Sequence, residues 1–275
     1  ALLAEAHAWM GEHDTVIALA EQVLEACSPS ERSFWDVLGP LAFVCAERAD
    51  VDRFEALVMR MLDAFEESDP TRSLIAVARV GAQGLGLGAA HANAGLAELF
   101  DRLSQVASLS EPRDQAIVHR YRAELALSQD DLQGHMRGFV ASTHAFWSAG
   151  MERSAVNMAG NAGYGYILLG RYEDAHELLL AARRQAETRG VAILADYCDH
   201  HLAMALHGMG RLDEALARQR SATRVFAERG VARIEGHGRI NVAQVLLELG
   251  RPEEALAEVD RVVALAETSV PSLSA

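Results

Sequence analysis

The chain has 275 residues, half of them hydrophobic in type, and a formal net charge of −14 at pH 7, which is material for one long domain or two ordinary ones. The charge argues against a duplex nucleic acid partner, whose phosphates need a surplus of Lys and Arg, and against an anionic membrane surface. No run of about 18 apolar residues predicts a transmembrane helix, and the opening residues lack a charged-then-apolar signal pattern.

Ala, Leu, Glu and Arg dominate while β-branched and aromatic residues are sparse, so the expected class is all-α. Lysine is absent and every basic chain is Arg. Within these residues that removes a Walker A lysine, a kinase ATP-positioning lysine and a Schiff-base lysine. Cys27, Cys45 and Cys198 lie far apart with no C-x-x-C pairing and read as reduced, mostly buried thiols of a cytoplasmic protein.

In chain order, "ALLAEAHAWMGEHD" (1–14) already stands in helical periodicity without an initiator Met, and we expect a piece of a longer polypeptide. "WMGEHDTVIALAEQVL" (9–24) has the order Gly, turn, helix, and "RADVDRFEALVMRMLDAF" (48–65) repeats it with Ala49 in the glycine place. Between them Pro40, in "FWDVLGPLAFVCAE", predicts a kinked or broken helix. Pro29, Pro70, Pro112, Pro252 and Pro271 fall at predicted boundaries or in the tail. "GAQGLGLGAA" (81–90) superficially suggests a nucleotide loop, but no Lys-Ser/Thr follows and no strand pattern precedes it. Its small residues predict close helix packing in the least stable unit. Residues 93–108 and 131–149 read as second helices of two divergent units.

Beyond 150 the chain repeats itself at forty residues. "LGRYEDA" (169–175), "MGRLDEA" (209–215) and "LGRPEEA" (249–255) align without a gap, "RGVA" recurs at 189–192 and 229–232, and Gly150 lies one period further upstream. A fixed period of this length marks stacked supersecondary units. Ala162, Tyr166 and Leu169, or Leu202, Leu206 and Met209, make one apolar stripe before each motif; Ala175, Leu178, Leu179 and Ala182 make another after it. Gly170, Gly210 and Gly250 supply the left-handed residue that ends a helix. The acidic pair, such as Glu253 and Glu254, favours the next helix start through its dipole, and Pro252 suits that first turn.

At these residues the chain resembles the tetratricopeptide repeat family. The match lies in the Gly of the first helix (Gly163, with Ala203 and Ala243 as small substitutes), the large residue three later (Tyr166, Leu206, Leu246), the turn Gly and the Ala of the second helix. The period of about forty exceeds the family's usual thirty-four and is similar to the long-repeat variety of regulatory arms in bacterial signalling proteins, including kinases and ATPase-type transcription regulators. The resemblance implies an all-α, right-handed superhelical solenoid of about seven antiparallel helix pairs. Residues 1–150 would form divergent repeats, 151–268 three well-defined ones, and 269–275 a frayed tail. It also implies a concave groove lined by first helices that meets proteins or peptides.

On that geometry the groove stripe comprises Asn157, Asn161, Tyr164 and Leu168, then Tyr197, His201 and Met204, then His237, Asn241 and Gln244, with His200 and His207 flanking it. Amide side chains both donate to and accept from an extended backbone; the bland alternative is hydrogen bonding within the stack. "YCDHHLAMALH" (197–207) tempts as a metal site, yet adjacent residues point about a hundred degrees apart and H-E-x-x-H is absent, so no metal and no cofactor are expected. Histidine titrates near neutrality, which would make such a groove pH-sensitive. No G-x-S-x-G elbow is present. Trp9, Trp35, Trp147, Phe34 and Phe146 are assigned to the core; Arg183, Arg184, Arg218, Arg220 and Arg224 are assigned to solvated faces. The expected protein is a non-catalytic cytoplasmic interaction scaffold whose partner is a protein, a peptide or another domain of its parent, with self-association through its ends as a further expectation. The alternative is a sensor arm that binds a small molecule or short signalling peptide and relays it to an absent kinase, ATPase or DNA-binding domain.

Overall fold

A computed structural model describes residues 2–9, 12–65, 68–85, 87 and 89–269. Among the described residues there is no strand, and fourteen helices follow one another. They are α1 (Leu2–Trp9), α2 (His13–Ala26), α3 (Arg32–Arg48), α4 (Val51–Ala64), α5 (Pro70–Gly84), α6 (Ala90–Ser104) and α7 (Pro112–Ser128), then α8 (Leu132–Ser148), α9 (Glu152–Leu168), α10 (Tyr172–Thr188), α11 (Ala192–Gly208), α12 (Leu212–Glu228), α13 (Ala232–Glu248) and α14 (Pro252–Ser269). The chain divides into two compact units, Ala1–Met151 and Glu152–Ala275.

From Pro112 onward the helices run seventeen residues, eighteen in α14, with three-residue turns between them. The turn explains the regularity. At Gly170, Gly190, Gly210, Gly230 and Gly250 φ is +68 to +73°, the left-handed region that glycine enters without a Cβ clash. At Gly170 the amide of the glycine donates to Ile167 and that of Arg171 to Tyr166, both at 2.9 Å, closing the orphan carbonyls of α9. Arg171, Arg211 and Arg251 then open the next helix, and each grips the acid three residues on. Arg171 Nε lies 2.7 Å from Asp174, Arg211 2.7 Å from Glu214 and Arg251 2.6 Å from Glu254. The Arg of the motif therefore ties the turn to the acid that faces the helix dipole, a role the sequence reading did not assign. The motif alanines Ala175, Ala215 and Ala255 are buried.

Two positions adopt the same conformation without glycine, Ala49 (φ 53°) and Asp130 (φ 59°). Ala49 thus stands in the glycine place at the end of α3, as its register implies, and Asp130 holds the place twenty residues before Gly150. Gly11, where the sequence predicts the first such turn, and residues 270–275, in the expected frayed tail, lie outside the described residues.

In the first unit α3 packs on α2, α4 and α5, α5 on α6 and α7, and α7 on α8. Trp35 and Phe34 sit in this core, and Trp35 Nε1 donates to the Pro29 carbonyl at 2.6 Å. The expected break at Pro40 does not occur: α3 runs unbroken through it, because Val37, Leu38 and Leu41 around it are buried and their burial outweighs one missing ladder bond. The glycines of α5 serve close packing. A Cβ on Gly81 would overlap the Tyr121 ring and one on Gly84 the Phe54 ring; Gly86 and Gly88 lie outside the described residues. Phe146 is buried, Trp147 only half-buried, and the Trp9 side chain is outside the description.

In the second unit each helix packs on its sequence neighbours, and α11 also packs on α9 and on α13. Leu179, Leu202 and Ala205 form one core layer and Leu206, Leu216, Val242 and Leu246 the next. Gly163 admits Leu179, whose side chain lies 2.5 Å from where a Cβ would stand.

Candidate functional site

Because α11 packs against both α9 and α13, residues forty apart form rows across three first helices. Asn157, Tyr197 and His237 make one row, Asn161, His201 and Asn241 the next, and Tyr164, Met204 and Gln244 the third. Within each helix the members sit at i, i+4 and i+7, one stripe of an α-helix. The middle row is half-buried throughout; Asn157, His237 and Gln244 are exposed, and Tyr164, Leu168, Tyr197 and Met204 are half-buried.

Aromatic rings span the rows. Tyr164 of α9 stacks on His201 of α11 with centroids 5.4 Å apart and planes at 24°, and Tyr197 packs at 4.9 Å on Phe226 of α12. Burial pushes His201 down to about 4, against a smaller opposing effect of the Gly160 carbonyl, so its ring is neutral at pH 7. Its Nδ1 is buried, with no hydrogen-bond partner among the described residues.

His200 is not a groove residue. It is 4 % exposed and its Nδ1 accepts from Gln219 Nε2 of α12 at 2.9 Å, while burial holds it down to about 3, with the neighbouring His201 a lesser cause. The reason is the hundred-degree step between adjacent helical residues: His201 faces α9, so His200 turns into the α11–α12 contact. His207, half-buried, meets Glu248 of α13, Nε2 to Oε1, at 2.7 Å.

The same divergence separates the other side chains of 197–201. Cys198 is buried and burial raises its thiol to about 12, so it stays protonated and unreactive. Asp199 is held by Arg183 of α10, Nε to both carboxylate oxygens at 2.9 Å, and by Arg218 of α12. Among the described residues no group of three or more His, Cys, Asp or Glu side chains is placed to hold a metal ion. Arg183 and Arg218 therefore correct the expectation of solvated faces: they clamp one carboxylate from successive second helices. Arg184, Arg220 and Arg224 are exposed, Arg220 with Glu254 at 3.0 Å and Arg224 with Glu228 at 3.9 Å.

No protein-family model matches the chain, and no curated protein is similar to it in sequence. Solved structures are similar in fold. A Rap protein complexed with the competence and sporulation factor superposes with a TM-score of 0.66 at 13% identity, over 86% of this chain and 67% of that one. The apo form of RapI gives 0.60 at 11% identity, over 87% and 67%, and BtubC (BKLC) from P. vanneervenii 0.57 at 16% identity, over 82% and 96%. At such identities the likeness shows the fold alone: the chain is an all-helical repeat protein. No helix among the described residues is long and apolar enough to cross a membrane.

Proposed function

We propose that the chain is a non-catalytic interaction module of the tetratricopeptide type, which seats an extended peptide or protein segment along α9, α11 and α13. The observation that carries this reading is the central row, Asn161, His201 and Asn241, half-buried in register on three adjacent helices. The two amides can pair with backbone amides and carbonyls whatever the ligand's side chains, and the His201 ring between them lies stacked on Tyr164. Tyr164 and Met204 beside them offer adaptable apolar contact. The Rap protein seen with the competence and sporulation factor supports a repeat of this kind as a receiver of a factor. The acid excess of the chain favours a neutral or basic partner over an acidic one. The module serves as the regulatory segment of a larger cytoplasmic signalling protein.

The test is peptide display on the immobilised chain, followed by affinity measurement on a variant carrying Tyr164→Ala, Met204→Ala and Gln244→Ala. Enriched peptides are expected to bind the variant at least roughly tenfold more weakly, the loss of one or two good contacts, while circular dichroism shows the helices intact. Equal affinity for the two proteins would remove α9, α11 and α13 as the binding face.

A further inference from the structure

The first unit holds a cavity of about 230 Å³ between α5, the end of α6, the link 105–111 and α7. Leu74, Leu109 and Val118 supply its apolar wall, and Ser104, His119 and Arg122 its polar one. Two hydrogen bonds pin the link that borders it. Gln115 Nε2 donates to the Leu109 carbonyl at 2.9 Å, and the Ser108 amide donates to Thr71 Oγ1 at 3.3 Å.

The polar groups are unspent. Ser104 Oγ is buried without a hydrogen-bond partner, although a serine in a helix ordinarily bonds back to the preceding turn and a buried hydroxyl is nearly always satisfied. Arg122 forms no ion pair among the described residues; its guanidinium lies over the Phe100 ring, 5.6 Å from the centroid, which fixes it at the cavity without neutralising it. Burial, with Arg122 a second cause, lowers His119, so the imidazole is neutral at pH 7 and Arg122 is the charge there. A hydroxyl, an imidazole N–H and a guanidinium form a set of donors beside apolar carbon, and the complement is an anion of acceptors on a short apolar body. The volume corresponds to roughly seven or eight waters at about 30 Å³ each, below the roughly 300 Å³ at which drug-sized pockets begin. It matches a ligand of about that many non-hydrogen atoms.

We propose that this cavity is a binding site for a small aliphatic monocarboxylic acid, its carboxylate at Arg122 and Ser104 and its alkyl chain against Leu74 and Val118. The site lies within the first unit and is independent of the peptide face of the second.

The experiment titrates the full chain with pentanoate, by calorimetry and ligand-observed magnetic resonance, with pentan-1-ol as the uncharged control. Pentanoate is expected to bind and pentan-1-ol to fail to displace it. Arg122→Gln, at an exposed position, loses only the contact with the Phe100 ring from the fold, which thermal unfolding checks, and is expected to weaken pentanoate roughly tenfold or more, as loss of a charge-assisted contact does. Ala107→Leu, which fills the cavity, is expected to abolish binding, and Ser104→Val to weaken it several-fold. The proposal is overturned if pentanoate does not bind at millimolar concentration, which would leave a cavity for water only, or if it binds Arg122→Gln as it binds the wild type.

Discussion

Four neighbouring side chains of α11 end in four environments: Cys198 in the core, Asp199 between two arginines, His200 on Gln219 and His201 on Tyr164. The two histidines make folding depend on pH. Both are held below the ordinary value of about 6.5, His200 at about 3 and His201 at about 4, by burial that disfavours the charged ring. When pH falls below 6.5 the unfolded chain takes up protons that the folded chain refuses. The stability is therefore complete above 6.5 and is lost as pH falls toward 4 and then 3. Each contributes a loss of about 2 kcal/mol between pH 7 and pH 5. His135 of α8, bonded to the Ala123 carbonyl at 3.0 Å and lowered by burial, adds with the same sign. His201→Asn installs the residue found at Asn161 and Asn241, and is expected to reduce the pH 7 to pH 5 loss by about 2 kcal/mol in urea titrations. An unchanged loss would mean that His201 is already accessible to protons in the folded chain.

The three-residue turn sets helix length, and its energetics are backbone energetics. Nothing lies within 4 Å of a Cβ built on Gly210, so Gly210→Ala meets no clash with neighbours and is expected to lose about 1–2 kcal/mol from the left-handed conformation alone. Ala49→Gly reverses that cost against a smaller loss of chain entropy and is expected to gain about 0.5–1 kcal/mol. Thermal unfolding of the two variants checks both signs; a neutral Gly210→Ala would deny the glycine its conformational role. These turns were legible in the sequence because glycine is nearly compulsory there, and Ala49 was legible through register. The regularity already present from Pro112 was hidden, since Asp130 takes the glycine place and no Gly-Arg motif follows it. The burial of His200 was not legible either: which of two adjacent histidines faces the groove depends on the angle between neighbouring helices. Arg183 and Arg218 read as surface because their shared carboxylate, Asp199, lies sixteen and nineteen residues away on another helix. The cavity of the first unit draws its lining from α5, α6 and α7, and no stretch of sequence shows it.

At the scale of the molecule, two different kinds of recognition are proposed for the two compact units. The first, built on the continuous core of α1 to α7, carries a small, partly open cavity lined by donors; the second presents three adjacent first helices in a forty-residue register. A long row of polar side chains suits an extended chain, which meets each repeat in turn. A small, partly open cavity of about 230 Å³ suits a ligand of a few atoms. The net charge of −14 leaves an excess of carboxylate over guanidinium after the ion pairs are made, and selects against acidic ligands at the open face more than at a cavity that carries its own arginine. The central claim, that the open face is where a peptide binds, is tested most directly by hydrogen exchange with a display-selected peptide at saturation. Slower exchange is expected within 157–168, 197–208 and 237–248, with α10, α12 and α14 unchanged; protection confined to those second helices, or to residues before Glu152, would contradict it.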